Sequence, residues 1–209
     1  MTRFIDITQP VDERMVCWPG RVPPEHSWER HISRGDHCNT SLWRMNAHSG
    51  THMDAPLHFV EGGLPIDRVP PDVFIGECVV VDTRSTGQST LDDLSACQHR
   101  GVKRLLLRTG HSDADGKGIY EHHQQLLTPA AASCLLEGGL LLIGTDRLSV
   151  DDSGGKTYDL HHLLLGAGCV ILEGLLLAGV KPGQYTLYAA PLRLMGKEAS
   201  PVRALLLER

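Results

Sequence analysis

Short apolar runs separated by helix-start signals constrain the fold of this chain more than any other feature. FIDIT (4–8), ECVVVDT (77–83), VKRLLLRTG (102–110), LLLIGTD (140–146), CVILEGL (169–175) and QYTLYAAPLRL (184–194) are brief and often β-branched. Their length and composition predict strands. Helical windows fall between them. LDDLSACQHRG (91–101) follows a capping Thr90 and closes at Gly101. TPAAASCLLEGG (128–139) opens with Thr and then Pro at the first helical position, and ends in glycines. DLHHLLLGAG (159–168) is shorter and ends at Gly166 or Gly168. A capping hydroxyl before the helix and a glycine after it are the usual boundary signals. Strands alternating with helices predict an α/β fold. With 209 residues, 41% of them hydrophobic, the chain can bury one sizeable core. Two full domains would be cramped, so a single domain over 1–209 is expected. Residues 111–125, HSDADGKGIYEHHQQ, read as a polar loop between a strand and the next helix.

Charge and composition exclude several classes. The net charge is −5, and the Lys and Arg residues are scattered with no basic run, so no nucleic-acid partner is expected. The N-terminal MTRFIDITQPVDE has acids and a proline where a signal peptide needs an apolar core. No segment approaches the roughly 18–20 apolar residues of a membrane span. A cytoplasmic protein without membrane contact is the expectation. The six cysteines, Cys17, Cys38, Cys78, Cys97, Cys134 and Cys169, are widely spaced with no CxxC pair, and are expected to be reduced. Histidine is the unusual count: twelve, against three Phe. That balance points to metal chemistry, with His26, His31, His99 and His111 expected on the surface.

The histidines concentrate in NAHSGTHMDAPLHF (46–59), where His48, His52, Asp54 and His58 all occupy even positions. Gly50 and Pro56 argue against a regular helix. In an extended segment, residues of equal parity share a face. A straight strand would separate i and i+4 by roughly 13 Å, so the segment must bend to gather one site. Gly50 is where a bend is easiest. Imidazole and carboxylate are ligands preferred by zinc and related divalent ions. A polar loop whose histidines merely hydrogen-bond is the alternative, and the density of four such residues in eleven positions favours metal.

A second cluster lies at D-L-H-H-L-L-L-G-A-G-C-V-I-L-E-G-L. Glu173 interrupts an apolar strand, where a buried carboxylate is costly unless paired or metal-bound. His161 precedes it by twelve residues, and a short helix and turn would fold the two back together. The competing reading is a solvated Glu173 on a sheet edge. Together the clusters offer more ligands than one ion needs, which suggests two divalent ions with Asp54 as bridge. Two ions roughly 3.5–4 Å apart suit hydrolysis, and a spare histidine can carry protons.

HSGTHMDAPLHF matches the HxGTHxDxPxH signature of the metal-dependent cyclase/formamidase family, which this chain resembles over nearly its whole length. IDITQPVDERMVCWPG resembles the family's opening strand and Trp-Pro-Gly turn. GGLPIDRVPPDVFIGECVVVD, IGTDRLSVDD and the stretch from HHLLLGAG to SPVRALL resemble its later segments. The resemblance implies a swivelling β/β/α fold, a mixed sheet core with flanking helices, in a homodimer or homotetramer. It implies a first ion on His48, His52 and Asp54, and a second on Asp54, His161 and Glu173, zinc by preference and manganese as the alternative. His58 becomes the catalytic acid/base, and Trp18 lines the pocket of a small-molecule substrate, where it can stack on an aromatic ring. The activity implied is hydrolysis of an amide or formamide C–N bond, with N-formyl-L-kynurenine as the leading substrate. Hydrolysis of a cyclic amide such as isatin is the alternative within the family. Glu173 fits the formamidase pattern, whereas the isatin-cleaving members carry an amide there. A metal-binding protein without turnover is the competing class, and the spare His58 argues against it.

Overall fold

A computed structural model describes residues 3–84, 91–112, 125–152, 154–155 and 157–208. Eleven strands are defined among them. β1 is Phe4–Asp6, β2 Glu25–Arg30, β3 Thr40–Arg44, β4 His52–Asp54, β5 Ile75–Asp82 and β6 Arg104–Arg108. β7 is Leu142–Thr145, β8 Val170–Glu173, β9 Gly183–Tyr188, β10 Ala199–Pro201 and β11 Leu205–Glu208. Four α-helices accompany them: α1 Pro71–Phe74, α2 Asp93–Cys97, α3 Pro129–Glu137 and α4 Asp159–Gly166.

Nine strands form one mixed sheet in the order β1-β11-β9-β5-β6-β7-β8-β4-β10. β5, β6, β7 and β8 run parallel at its centre, and the flanking pairs are antiparallel. The α/β expectation is met. All six predicted strands are present, and the central four alternate between two cores. Leu105, Leu107, Ile143 and Ile171 pack with Ala131, Leu135, Leu160 and Leu164 of the helices. Leu106, Leu142, Val170 and Leu172 point the other way, against Ile7, Met53, Val180 and Leu187. Period-two alternation in strands fixes this division.

The three predicted helices are present but shorter. Thr128 caps α3 by accepting from the Ala131 N–H, and Pro129 stands at its first position. The expected cap at Thr90 lies outside the described residues; Asp92 caps α2, accepting from the Ser95 N–H. Of the loop expected over 111–125, residues 113–124 lie outside the described residues.

The expectation of reduced thiols fails at one pair. Cys97 and Cys134 form a disulfide, with Cα atoms 5.9 Å apart. α2 packs beside α3, which brings together residues 37 apart in sequence. Cys17, Cys38, Cys78 and Cys169 lie outside this disulfide. Strands β2 and β3 pair only with each other, and every residue in them is exposed.

Candidate metal centre

β4 lies between β8 and β10, near one end of the sheet, and its pairing builds the floor of the site. In the antiparallel register His52 stands opposite Glu173, and Asp54 opposite Ile171. His52, Asp54 and Glu173 thus share the helix-covered face, while Met53 and Leu172 turn into the other core. The bend expected at Gly50 is present, with φ +62°. Gly174, just past β8, has φ +70°, and a Cβ there would meet the Gly50 carbonyl oxygen at 2.6 Å. Two glycines in contact let the His48 turn approach the end of β8 closely. Thr51 Oγ1 fastens the approach by donating to the Gly174 carbonyl at 2.6 Å. After β4, a 3₁₀ turn over Pro56–His58 brings His58 back over the strand. α4 supplies His161 from its buried side.

Asp54 is the centre of the group. His48 Nδ1 is 2.8 Å from Asp54 Oδ1, and His52 Nε2 is 3.5 Å from the same oxygen. His161 Nε2 is 3.7 Å from Oδ2. Glu173 completes the floor, with Oε2 3.5 Å from His52 Nε2 and Oε1 3.5 Å from His161 Nε2. Two sets of donor atoms fall within 4.8 Å of one another: His48, Asp54 and His58, and His52, Asp54 and Glu173. Asp54 belongs to both. The ring of His58 lies 4.2 Å from that of His48 and 6.0 Å from that of His161.

The floor is nearly dry. His52, Asp54, His161 and Glu173 are 4%, 0%, 4% and 3% exposed. Among the described residues, neither Asp54 oxygen has a hydrogen-bond partner; His48 Nδ1 is close but lies outside hydrogen-bond geometry. An unsatisfied buried carboxylate costs several kcal/mol, on the order of what drives such groups to bind cations. Oδ1 faces His48 and His52, and Oδ2 faces His161, so the carboxylate presents its two oxygens to two separate groups of imidazoles. That donor set fits divalent metal.

The surrounding backbone orients these side chains. His52 Nδ1 lies 2.8 Å from the Gly50 carbonyl, an acceptor that leaves Nε2 free to face the carboxylates. Asp151 does the same for His161: its Oδ2 is 2.5 Å from Nδ1, and its two oxygens accept the Leu160 and His161 N–H groups at 2.9 and 3.2 Å. One carboxylate thereby fixes both the start of α4 and the ring. The Val150 N–H donates to Glu173 Oε1 at 2.9 Å.

Charge is distributed unevenly in the chain alone. Burial opposes ionisation of Asp54, but His52, His161 and His48 hold its carboxyl well below the usual range. Burial opposes ionisation of Glu173 as well, and His161 and His52 hold it at about 2. Burial disfavours charge on His161, yet the carboxylates of Asp151, Asp54 and Glu173 push it up to about 12. Burial pushes His58 down to about 4, against the opposing pull of Asp54. Two histidines in one site are therefore held in opposite states.

A cleft of about 220 Å³ opens above the floor, lined by His48, His52, His58, His161 and Glu173. Trp18 lines it too, with Arg21, Phe59 and Tyr158. The structure thus brings together every residue singled out in the sequence: His48, His52, Asp54, His58, His161, Glu173 and Trp18. Asp151, Glu198, whose Oε1 lies 3.6 Å from His48 Nε2, and Arg21 escaped sequence reasoning. Each is a polar residue in a polar stretch, with nothing in its spacing to mark it. His26 is exposed, and His31, His99 and His111 are half-buried, apart from the cluster.

Known proteins resemble this chain in sequence and fold. The family model described as "Putative cyclase" matches residues 5–152. A kynurenine formamidase of Sphingopyxis alaskensis is 37% identical over 100% of this chain and 99% of its own length. One from Geobacillus thermodenitrificans is 35% identical over 99% of this chain and 98% of its own. A solved structure of a potential metal-dependent hydrolase with cyclase activity superposes with a TM-score of 0.83, at 28% identity, covering 100% of this chain and 99% of that one. Isatin hydrolase A from Ralstonia solanacearum superposes at 0.80 and 25% identity, covering 100% of this chain and 92% of its own. Fold, site and relatives define a metal-dependent hydrolase that acts on an amide-type carbon–nitrogen bond of a small molecule. The chain belongs to the cyclase family. No helix among the described residues is long and apolar enough to cross a membrane.

Proposed function

We propose that the chain hydrolyses N-formyl-L-kynurenine to L-kynurenine and formate, as a single domain over 1–209 holding two divalent ions. The observation that carries the metal reading is Asp54, fully buried, with neither oxygen hydrogen-bonded among the described residues and each turned toward different histidines. His48, His52 and Asp54 are assigned to one ion, and Asp54, His161 and Glu173 to the other, zinc by preference and manganese as the alternative. When bound, such ions supply a water acidic enough to act as nucleophile at neutral pH and a Lewis acid for the carbonyl oxygen. His58 would accept a proton from the attacking water and deliver it to the departing aryl nitrogen as the carbon–nitrogen bond breaks. Its support is its place in the cleft beside the proposed ligands, with its ring 4.2 Å from that of His48. The buried floor holds the ligands rigid and keeps bulk water from the leaving group.

Trp18, with Phe59 and Tyr158, gives the cleft three rings to enclose an aryl group. The formamide substrate is supported by relatives 34–37% identical over nearly the full chain and named kynurenine formamidase. Glu173 supports it over the isatin reading, because a carboxylate there matches the formamidase pattern. Assembly as a homodimer or homotetramer is supported by the β2–β3 arm. It leaves Trp28, Trp43 and Leu42 exposed, and a lone two-stranded hairpin is marginal in water. A cytoplasmic site of action is supported by the four cysteines outside the single disulfide, Cys17, Cys38, Cys78 and Cys169. Ultraviolet monitoring of N-formyl-L-kynurenine and isatin, with zinc or manganese added, tests the reading. Rapid loss of the formamide is expected; no loss at full metal loading would overturn it, and faster isatin opening would favour the lactam reading.

A further inference from the structure

We propose that Arg21 selects the substrate by pairing with a carboxylate carried away from the scissile bond. The inference rests on the formamidase reading and narrows it to aryl formamides that carry a carboxylate. Trp18, Pro19, Gly20 and Arg21 form a tight turn, in which the Arg21 N–H donates to the Trp18 carbonyl at 3.0 Å. Gly20 has φ +81°, the left-handed value that a type II turn takes at its third residue, with Pro19 in the second place. The turn delivers its first and last side chains, Trp18 and Arg21, to the same cleft.

Among the residues lining that cleft, Arg21 alone carries a permanent positive charge. Its Nη1 donates to Asn46 Oδ1 at 2.8 Å, and that same oxygen accepts the His48 N–H at 2.9 Å. Asn46 therefore ties the guanidinium to the turn that bears His48, and sets a fixed relation between the cation and the metal-site floor. The tie spends one of five N–H donors on a neutral amide. No carboxylate lies within ion-pair distance of Arg21 among the described residues; the carboxylates that line the floor are engaged with histidines. A guanidinium so placed, half-buried beside rings, is suited to bidentate capture of a substrate carboxylate. N-formyl-L-kynurenine has an aryl ring, a formamide on it and a carboxylate at the far end of its side chain. Isatin is a neutral lactam with no carboxylate to pair with Arg21.

The test compares N-formyl-L-kynurenine with its carboxamide, in which only the carboxylate is neutralised, in wild type, Arg21→Gln and Arg21→Lys. Wild type is expected to prefer the carboxylate in kcat/KM by roughly 10- to 100-fold, the range for a charge-assisted pair. Arg21→Gln collapses that ratio toward one, through KM, and Arg21→Lys restores part of it. Binding of L-kynurenine and its carboxamide to metal-depleted protein gives an independent readout, with the same preference expected in wild type and lost in Arg21→Gln. An unchanged ratio in both readouts overturns the role of Arg21 while the formamidase reading stands. Turnover of neither formamide would overturn the formamidase reading, and the binding comparison would still decide Arg21.

Discussion

At the floor of the cleft, His52, Asp54, His161 and Glu173 stand on two paired strands and a helix, almost wholly buried. At its mouth, Trp18 and Arg21 ride on one tight turn and are half-buried. Floor side chains are held at their rear by Gly50, Val150 and Asp151. At the mouth, the Arg21 side chain is held, among the described residues, by one hydrogen bond to Asn46. Rigid elements suit ion ligands, whose geometry tolerates little error. A turn suits recognition, where side chains can be exchanged without disturbing the sheet. Damage at the floor should therefore abolish chemistry, and damage at the mouth should change which substrate is accepted.

Substitutions break that contrast in graded steps. His58→Ala should lower kcat by roughly 10²- to 10⁴-fold, the usual contribution of a general acid/base, while elemental analysis finds the wild-type metal content. Loss of an ion in this variant would move His58 from proton carrier to ligand, as its 4.8 Å grouping with His48 and Asp54 would allow. Next in size, Asp151→Asn should weaken binding of the ion assigned to His161 by roughly 10- to 100-fold, read by competition with a chelator. Unchanged affinity would show that Asp151 serves only the start of α4. Trp18→Ala should cost about 3- to 10-fold in KM, the scale of one aromatic contact, with metal content intact. An effect confined to kcat would place Trp18 in the chemistry instead of at the mouth.

The floor was legible in the sequence because its residue types are costly to place without a purpose. Four ligand-type side chains within eleven positions, and a glutamate inside CVILEGL, signal themselves. The join between them also followed, because α4 and its turn return the chain to the sheet just before Glu173. Asp151 was not legible: it is one acid in SVDDS, and only the first turn of α4 gives it a meaning. β2 and β3 were missed because strands exposed on both faces leave no apolar alternation to read. β4 shows in the sequence only as the shared parity of His52 and Asp54, and the three residues of β10 carry no apolar alternation. The Cys97–Cys134 disulfide arises from α2 packing on α3, a tertiary fact without a local signature.

The central claim is that Asp54 joins two ions in one site. Metal content per chain, measured by elemental analysis on wild type and Asp54→Ala after equal loading and desalting, tests it most directly. The account expects two divalent ions per wild-type chain and loss of both in Asp54→Ala. A variant that keeps its full complement would contradict it.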